Sequence, residues 1–215
     1  MKYYATYVFD LDGTITDTAT VWLDIFREGL EHFGVTPPDD KTLAAYTHDW
    51  AQMPLLGLDK NKVGSFAALA HILANERLPK APLHVGARET LETLRNNGKR
   101  IAIYSGMDRA IFEPAVKRHN LDAIVEATVA GDDAPRRKPH ADGIHLTLRK
   151  MGIKEQDYDK VVYIGDKDTD ILAAHNAGID SILYFPIAHQ MLYDLEEVKL
   201  HNPTSTITEW HELLG

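Results

Sequence analysis

The sequence predicts an α/β fold: a doubly wound, mostly parallel sheet carrying one inserted block of helices. Three observations predict it. From residue 87 onward, apolar β-rich runs alternate with segments of helical periodicity, the pattern that right-handed crossovers turn into a parallel sheet. Three strand runs end in polar clusters, Asp10/Asp12, Ser105/Gly106 and Gly165/Asp166, and such sheets place their ligands at the carboxyl ends of the strands. Between the first strand and the alternating region, residues 17–78 read as helix with no convincing strand.

The first strand is the apolar run 3–9, which stops at Asp10-Leu11-Asp12-Gly13-Thr14. Trp22, Leu23, Phe26, Leu30 and Phe33 then recur at helical spacing, with Asp17 or Thr18 as N-cap and Gly34 as stop. Pro37-Pro38-Asp39-Asp40 breaks the chain and caps a second helix running to Tyr46; residues 61–75 form a third. Pro79-Lys80-Ala81-Pro82 closes the helical block. Beyond it the reading is helix 87–97, strand 100–104, helix 108–119, short strand 124–127, helix 141–151, strand 161–164, helix 168–177 and strand 181–184. Glycines 98, 152 and 178 stop three of these helices. The tail offers two more helical candidates, 191–200 and 207–214. The helical block thus reads as an insertion over the ligand-binding edge, giving a core of residues 1–16 and 84–215 and a cap of residues 17–83.

At 215 residues the chain suffices for one sizeable core plus a small second domain. Its 32 acidic against 23 basic residues argue against nucleic acid or an anionic membrane surface as partner. Without a cysteine, disulfides, thiolate metal sites and cysteine nucleophiles are excluded. The first strand begins too early for a secretory signal, and no stretch approaches a membrane span. The expectation is a cytoplasmic protein, monomeric or homodimeric, acting on a small molecule.

Two carboxylates one residue apart at a strand end repel, and a cation or proton must relieve that cost. By itself Asp12-Gly13 is an ordinary turn pair; its position after a hydrophobic strand gives it weight. The strand ends collect Asp10, Asp12, Asp166 and Asp170, the hydroxyl of Ser105, glycine-flanked amides and the basic run Arg136-Arg137-Lys138. So many carboxylates suit a hard cation, and Mg²⁺ is the one that works alongside phosphates. Ser105, the amides near Leu11 and Asp12, and a lysine suit phosphate oxygens. The chemistry indicated is phosphoryl transfer.

This set resembles the haloacid dehalogenase superfamily of phosphotransferases across essentially the whole chain, with all four motifs in order. They are Asp10-Leu11-Asp12-Gly13-Thr14; Ser105 after an apolar strand; Lys138-Pro139 with Ala141-Asp142; and Gly165-Asp166-Lys167-Asp168-Thr169-Asp170. The resemblance implies a Rossmann-like core, with the helical block similar to the small cap of phosphoglycolate-phosphatase-like members. It implies Asp10 as nucleophile forming an aspartyl-phosphate and Asp12 as general acid and then base. Mg²⁺ would be held by Asp10, the Asp12 carbonyl and Asp166. Leu11, Thr14, Ser105, Gly106 and Lys138 would bind the transferring group, with Asp170 in support. Hinges are expected near 16–18 and 80–84.

Departures shape the expectation. Gly106 stands where many relatives carry Asn, which leaves only a backbone donor; Lys167 stands where Ser is common. Asp168 reads as an N-cap or first-turn anion. Asp12 sets the chain apart from dehalogenase and phosphonatase relatives, which lack it. Phosphosugar mutases share a stretch similar to Ile15-Thr16-Asp17-Thr18, but carry histidine where this chain has Trp22, and Thr14 is more typical of phosphatases. Hydrolysis is therefore preferred over the mutase alternative, and a non-catalytic phosphate-binding module is disfavoured because every carboxylate is intact. Of eleven histidines none is spaced as a metal ligand with partners nearby; His71, His119, His145 and His175 read as helix residues without function. His48-Asp49-Trp50 interrupts the helical block and reads either as a specificity loop or as a plain helix-to-helix turn.

Overall fold

The computed structural model describes residues 2–47 and 50–215; of the His48-Asp49-Trp50 cluster, the first two lie outside the described residues. Six parallel strands form one sheet in the order β3-β2-β1-β4-β5-β6: β1 (Thr6–Phe9), β2 (Arg100–Tyr104), β3 (Ala127–Val129), β4 (Val161–Gly165), β5 (Asp180–Tyr184) and β6 (Ser205–Ile207). All four residues of β1 are buried, as suits a central strand; its alternation sends Tyr7 and Phe9 to one face and Val8 to the other. On the first face Phe9 stacks on Trp210 at 5.3 Å, with helices α4 (Ala87–Asn96) and α5 (Arg109–Arg118) packed alongside. On the second, α6 (Asp142–Lys150) and α7 (Asp168–Ala177) cover Val8, Ala102 and Tyr163.

The inserted stretch contains no strand among its described residues between 17 and 78. It supplies α1 (Ala19–His32), α2 (Asp40–Ala44) and α3 (Val63–Arg77), with a 3₁₀ segment at Trp50–Leu56. Asp39 caps α2, its side chain accepting from the Thr42 amide. α1 lies close against α3 because Gly29 leaves room for a ring: a Cβ there would sit 2.7 Å from Phe66, whose ring meets Phe26 edge-on at 5.4 Å. The chain leaves and re-enters the sheet region through two crossings bonded to each other. Asp17 donates its amide to the Pro82 carbonyl (2.8 Å), and His84 donates to that of Ile15 (3.0 Å).

Three expectations are corrected. Pairing of β3 with β2 begins at Ala127, not at 124, because Ile124 donates its amide to the Leu121 carbonyl to close a 3₁₀ turn and Val125 donates to the same carbonyl, which leaves neither free to start a strand. The expected helix 191–200 is divided: α8 (Ile187–Gln190) and α9 (Leu195–Lys199) are separate, the second started afresh by the Asp194 cap. The expected helix 207–214 is shortened to a 3₁₀ segment at Trp210–Leu214, and its first residue, Ile207, instead ends a sixth strand, β6, which sequence reading did not foresee. Ser-Thr-Ile is β-prone but too short to show alternation, and the edge of β5 offers it a ladder.

Candidate active site

Strand order reverses at β1: β2 and β3 lie on one side of it, β4 to β6 on the other. Asp10 after β1 and Asp166 after β4 therefore flank the switch-point crevice. Asp10 is 4% exposed. Its Oδ1 accepts from the Leu11 amide (2.8 Å), and its Oδ2 lies 3.0 Å from Lys138 Nζ. Lys138 reaches in from the loop before α6, follows a basic pair that stays at the surface, and precedes a cis peptide to Pro139. Its Nζ donates to Asp170 Oδ1 at 2.6 Å and to Tyr163 Oη at 3.2 Å, and the Tyr163 hydroxyl donates onward to the Tyr104 carbonyl.

Asp170 serves two elements at once. Its Oδ2 accepts from the Asp166 and Lys167 amides (3.1 and 3.0 Å), closing the first turn of α7, while Oδ1 holds Lys138. The first turn after β1 needs Gly13, whose φ is +80°; a Cβ there would also overlap the Asp166 carboxylate. Thr14 donates its hydroxyl to Asp166 Oδ1 (3.1 Å), and Thr16 donates to the Leu11 carbonyl (2.8 Å). Asp12 turns towards α1: Thr18 Oγ1 donates to its Oδ1 at 2.5 Å, and Trp22 Nε1 lies 3.1 Å from each of its oxygens. With Lys167, Asp166 and Tyr193 these residues line a cavity of about 90 Å³. At the end of β2, Ser105 is fully buried with its hydroxyl accepting from the Met107 amide (3.3 Å), and Gly106 lies beside the Lys138 stem.

Burial sets the electrostatics. It pushes the Asp166 carboxyl up to about 8, with Asp170, Asp10 and Asp12 adding and Lys167 opposing. It pushes Asp10 up to about 6 against the pull of Lys138. Burial works against the Lys138 ammonium too, but Asp10 and Asp170 hold it well above the usual lysine value. Lys167 is likewise raised by Asp166 and Asp12 against its burial. Four carboxyls thus crowd two ammonium groups; with all four ionised, two negative charges are left over, and a divalent cation offsets that deficit and so favours the ionised forms. Asp10, Asp166 and Asp170 each bring a ligand atom within 4.8 Å of the others, and an all-oxygen donor set suits a hard ion. The residues fit such a metal.

The structure therefore gathers Asp10, Lys138, Asp166 and Asp170 into one cluster, with Thr14 tied to it and Asp12 at its rim. Sequence reasoning passed over Tyr163, and it noted Trp22, Thr18 and Lys167 without giving them the contacts to the carboxylates that they make here. Trp22 was legible as an apolar helix position and as the residue standing where mutases carry histidine, but its bond to Asp12 was not, because periodicity reports a face and not the indole N–H. Asp168 lies in the first turn of α7, as expected.

A haloacid dehalogenase-like hydrolase family model matches residues 7–184. The chain belongs to this family and is a hydrolase of the α/β class its sheet defines. It is 30% identical over 188 residues to a phosphoglycolate phosphatase of Mannheimia succiniciproducens, covering 81% of this chain and 82% of that one. It is 23% identical to the pyrophosphatase PpaX of Bacillus mycoides, with 82% and 81% covered. A haloacid dehalogenase-like family hydrolase from Streptococcus pneumoniae shares the fold at a TM-score of 0.82, with 20% identity over 100% of this chain and 98% of that one. No helix among the described residues is long and apolar enough to cross a membrane.

Proposed function

We propose that this chain is a Mg²⁺-dependent phosphatase that hydrolyses a small phosphomonoester through an aspartyl-phosphate on Asp10. The observation that carries the reading is Asp10 at the central strand's end, 3.0 Å from a buried lysine and sharing a ligand cluster with Asp166. Asp10, Asp166 and the Asp12 carbonyl would hold Mg²⁺, which when bound offsets the repulsion between anionic nucleophile and phosphate. An Asp10 oxygen attacks phosphorus and the bond to the leaving oxygen breaks, while Asp12 donates a proton to that oxygen. A water then attacks the aspartyl-phosphate, Asp12 takes its proton, and the Asp10–phosphorus bond breaks to release phosphate. Lys138, Ser105, the Gly106 and Leu11 amides and Thr14 are assigned to the transferring group, with Asp170 positioning Lys138.

The helical block, residues 17–83, is taken as a cap over the core of residues 1–16 and 84–215, excluding bulk water and reading the leaving group. The small cavity between Asp12, Trp22, Lys167 and Tyr193 favours a compact leaving group. The names of the relatives agree with a small phosphorylated substrate. Hydrolysis is favoured over phosphosugar isomerisation by Thr14 and Trp22.

The test is a phosphate-release screen over small phosphomonoesters and pyrophosphate, with sugar-phosphate isomers followed in parallel. Release that stops with EDTA and returns with Mg²⁺ is expected. Metal-independent release, or an isomer accumulating faster than phosphate, would overturn the assignment. A finer prediction concerns Trp22, whose N–H steadies Asp12. Trp22→Phe removes that donor and leaves Thr18, so kcat falls about tenfold, the worth of one hydrogen bond to a charged acceptor, with KM little changed. Unchanged kcat would mean that Thr18 alone aims Asp12.

A further inference from the structure

A second cluster stands apart from the carboxylate site. Asp17, His84 and His189 each bring a potential ligand atom within 4.8 Å of the other two. His189 is 1% exposed, yet neither of its ring nitrogens has a hydrogen-bond partner among the described residues. Leaving a buried donor and a buried acceptor unsatisfied is costly, and native proteins seldom do so without a use for them. The ring is walled by Phe185, Tyr193 and His84, whose centroids lie 6.1, 5.9 and 5.8 Å away, so water is a poor substitute partner there.

His84 is prepared in a different way. Its Nε2 lies 3.2 Å from the Gly13 carbonyl; with the proton on that nitrogen, Nδ1 keeps a free lone pair. A ring nitrogen anchored to a backbone carbonyl, its opposite nitrogen left bare, is the usual preparation of a metal-binding histidine. Burial lowers the pKa of His84, against the opposing pull of Asp17, and takes that of His189 down to about 3. Burial thus favours the neutral imidazole at both positions, the form that ligates.

We infer that Asp17, His84 and His189 form a second metal site, for a borderline divalent transition ion such as Zn²⁺. Two imidazoles and one carboxylate suit zinc-like ions and not Mg²⁺, which prefers an all-oxygen set. The three residues come from separate stretches: Asp17 and His84 from the two bonded crossings beside the helical block, His189 from α8 near the C-terminus. An ion held there fastens both crossings to the C-terminal segment. Through the bond from His84 to Gly13 it also braces the turn that carries Asp12.

The experiment uses chelator-stripped full-length protein, kept in Mg²⁺ and titrated with Co²⁺ as a spectroscopic stand-in for Zn²⁺, followed by calorimetry and visible d–d absorption. Asp166→Asn weakens the carboxylate site, whose remaining donors are all oxygens, so a nitrogen-containing ligand field reports the histidine cluster and the result does not depend on the phosphatase assignment. That variant is expected to bind about one equivalent of Co²⁺ with a nitrogen-containing ligand field. Adding His189→Phe to it abolishes this binding, while His189→Phe alone leaves Mg²⁺-supported turnover in place. Should His189→Phe fail to fold, Asp17→Asn, at a half-buried position, takes its place with the same expectation. Absence of Co²⁺ binding to Asp166→Asn, or binding and spectrum untouched by the His189 or Asp17 substitution, would overturn the proposal.

Discussion

Asp10→Asn loses at least about 10⁴-fold in phosphate release, because an amide cannot carry the covalent phosphoryl group and no neighbour replaces it as nucleophile. The fold survives. Asn keeps an oxygen to accept from the Leu11 amide, and Lys138 retains Asp170 at 2.6 Å. In metal-free protein the variant is even expected to melt higher near neutral pH. Burial raises the Asp10 carboxyl to about 6, so above the usual carboxylate value the unfolded chain sheds this proton more readily than the folded one, which costs stability. The advantage of Asn shrinks as pH falls towards that ordinary value. Melting curves at two pH values, beside a turnover assay, check both parts. Turnover within about tenfold of the parent's would remove Asp10 from the nucleophile's place.

The parts of this architecture that were legible are those where one segment carries its whole signal. Residues 100–104 and 161–164 are continuous apolar runs closed by Ser105-Gly106 and Gly165-Asp166, and a buried parallel strand needs nothing more. The same holds for α7, which Gly178 stops at a φ of +73°. β6 was not legible, because three residues hold too little pattern and its pairing is decided by the open edge of β5. Trp22 and Tyr163 belong to the site only through tertiary approach: each takes its role from a carboxylate or lysine brought in by another element, and Lys167, though it is raised first by its neighbour Asp166, is raised further by Asp12 from the turn after β1. The histidines illustrate the limit most clearly. Local spacing excluded a paired site, yet His84 and His189 meet with Asp17 because β5 and the returning crossing end at the same rim.

Lys138 is where structural and catalytic demands coincide, and they can be separated. Lys138→Met leaves two buried carboxylates, Asp10 and Asp170, without their shared cation. Breaking such a pair from one side costs about 3–5 kcal/mol. Turnover should fall by about 10²–10³, as when one preorganised donor to a developing charge is removed. Asp170→Asn added to Lys138→Met removes one of the stranded charges. An amide oxygen can still accept the two α7 amides that Oδ2 now takes. Much of the lost stability should therefore return, a coupling that a double-mutant cycle measures directly. Turnover should not return with it, since no ammonium then faces the phosphoryl position. If it did return in step with stability, Lys138 would be a counter-ion that keeps Asp10 in place, and the grip on the transferring group would have to come from the Leu11 and Gly106 amides.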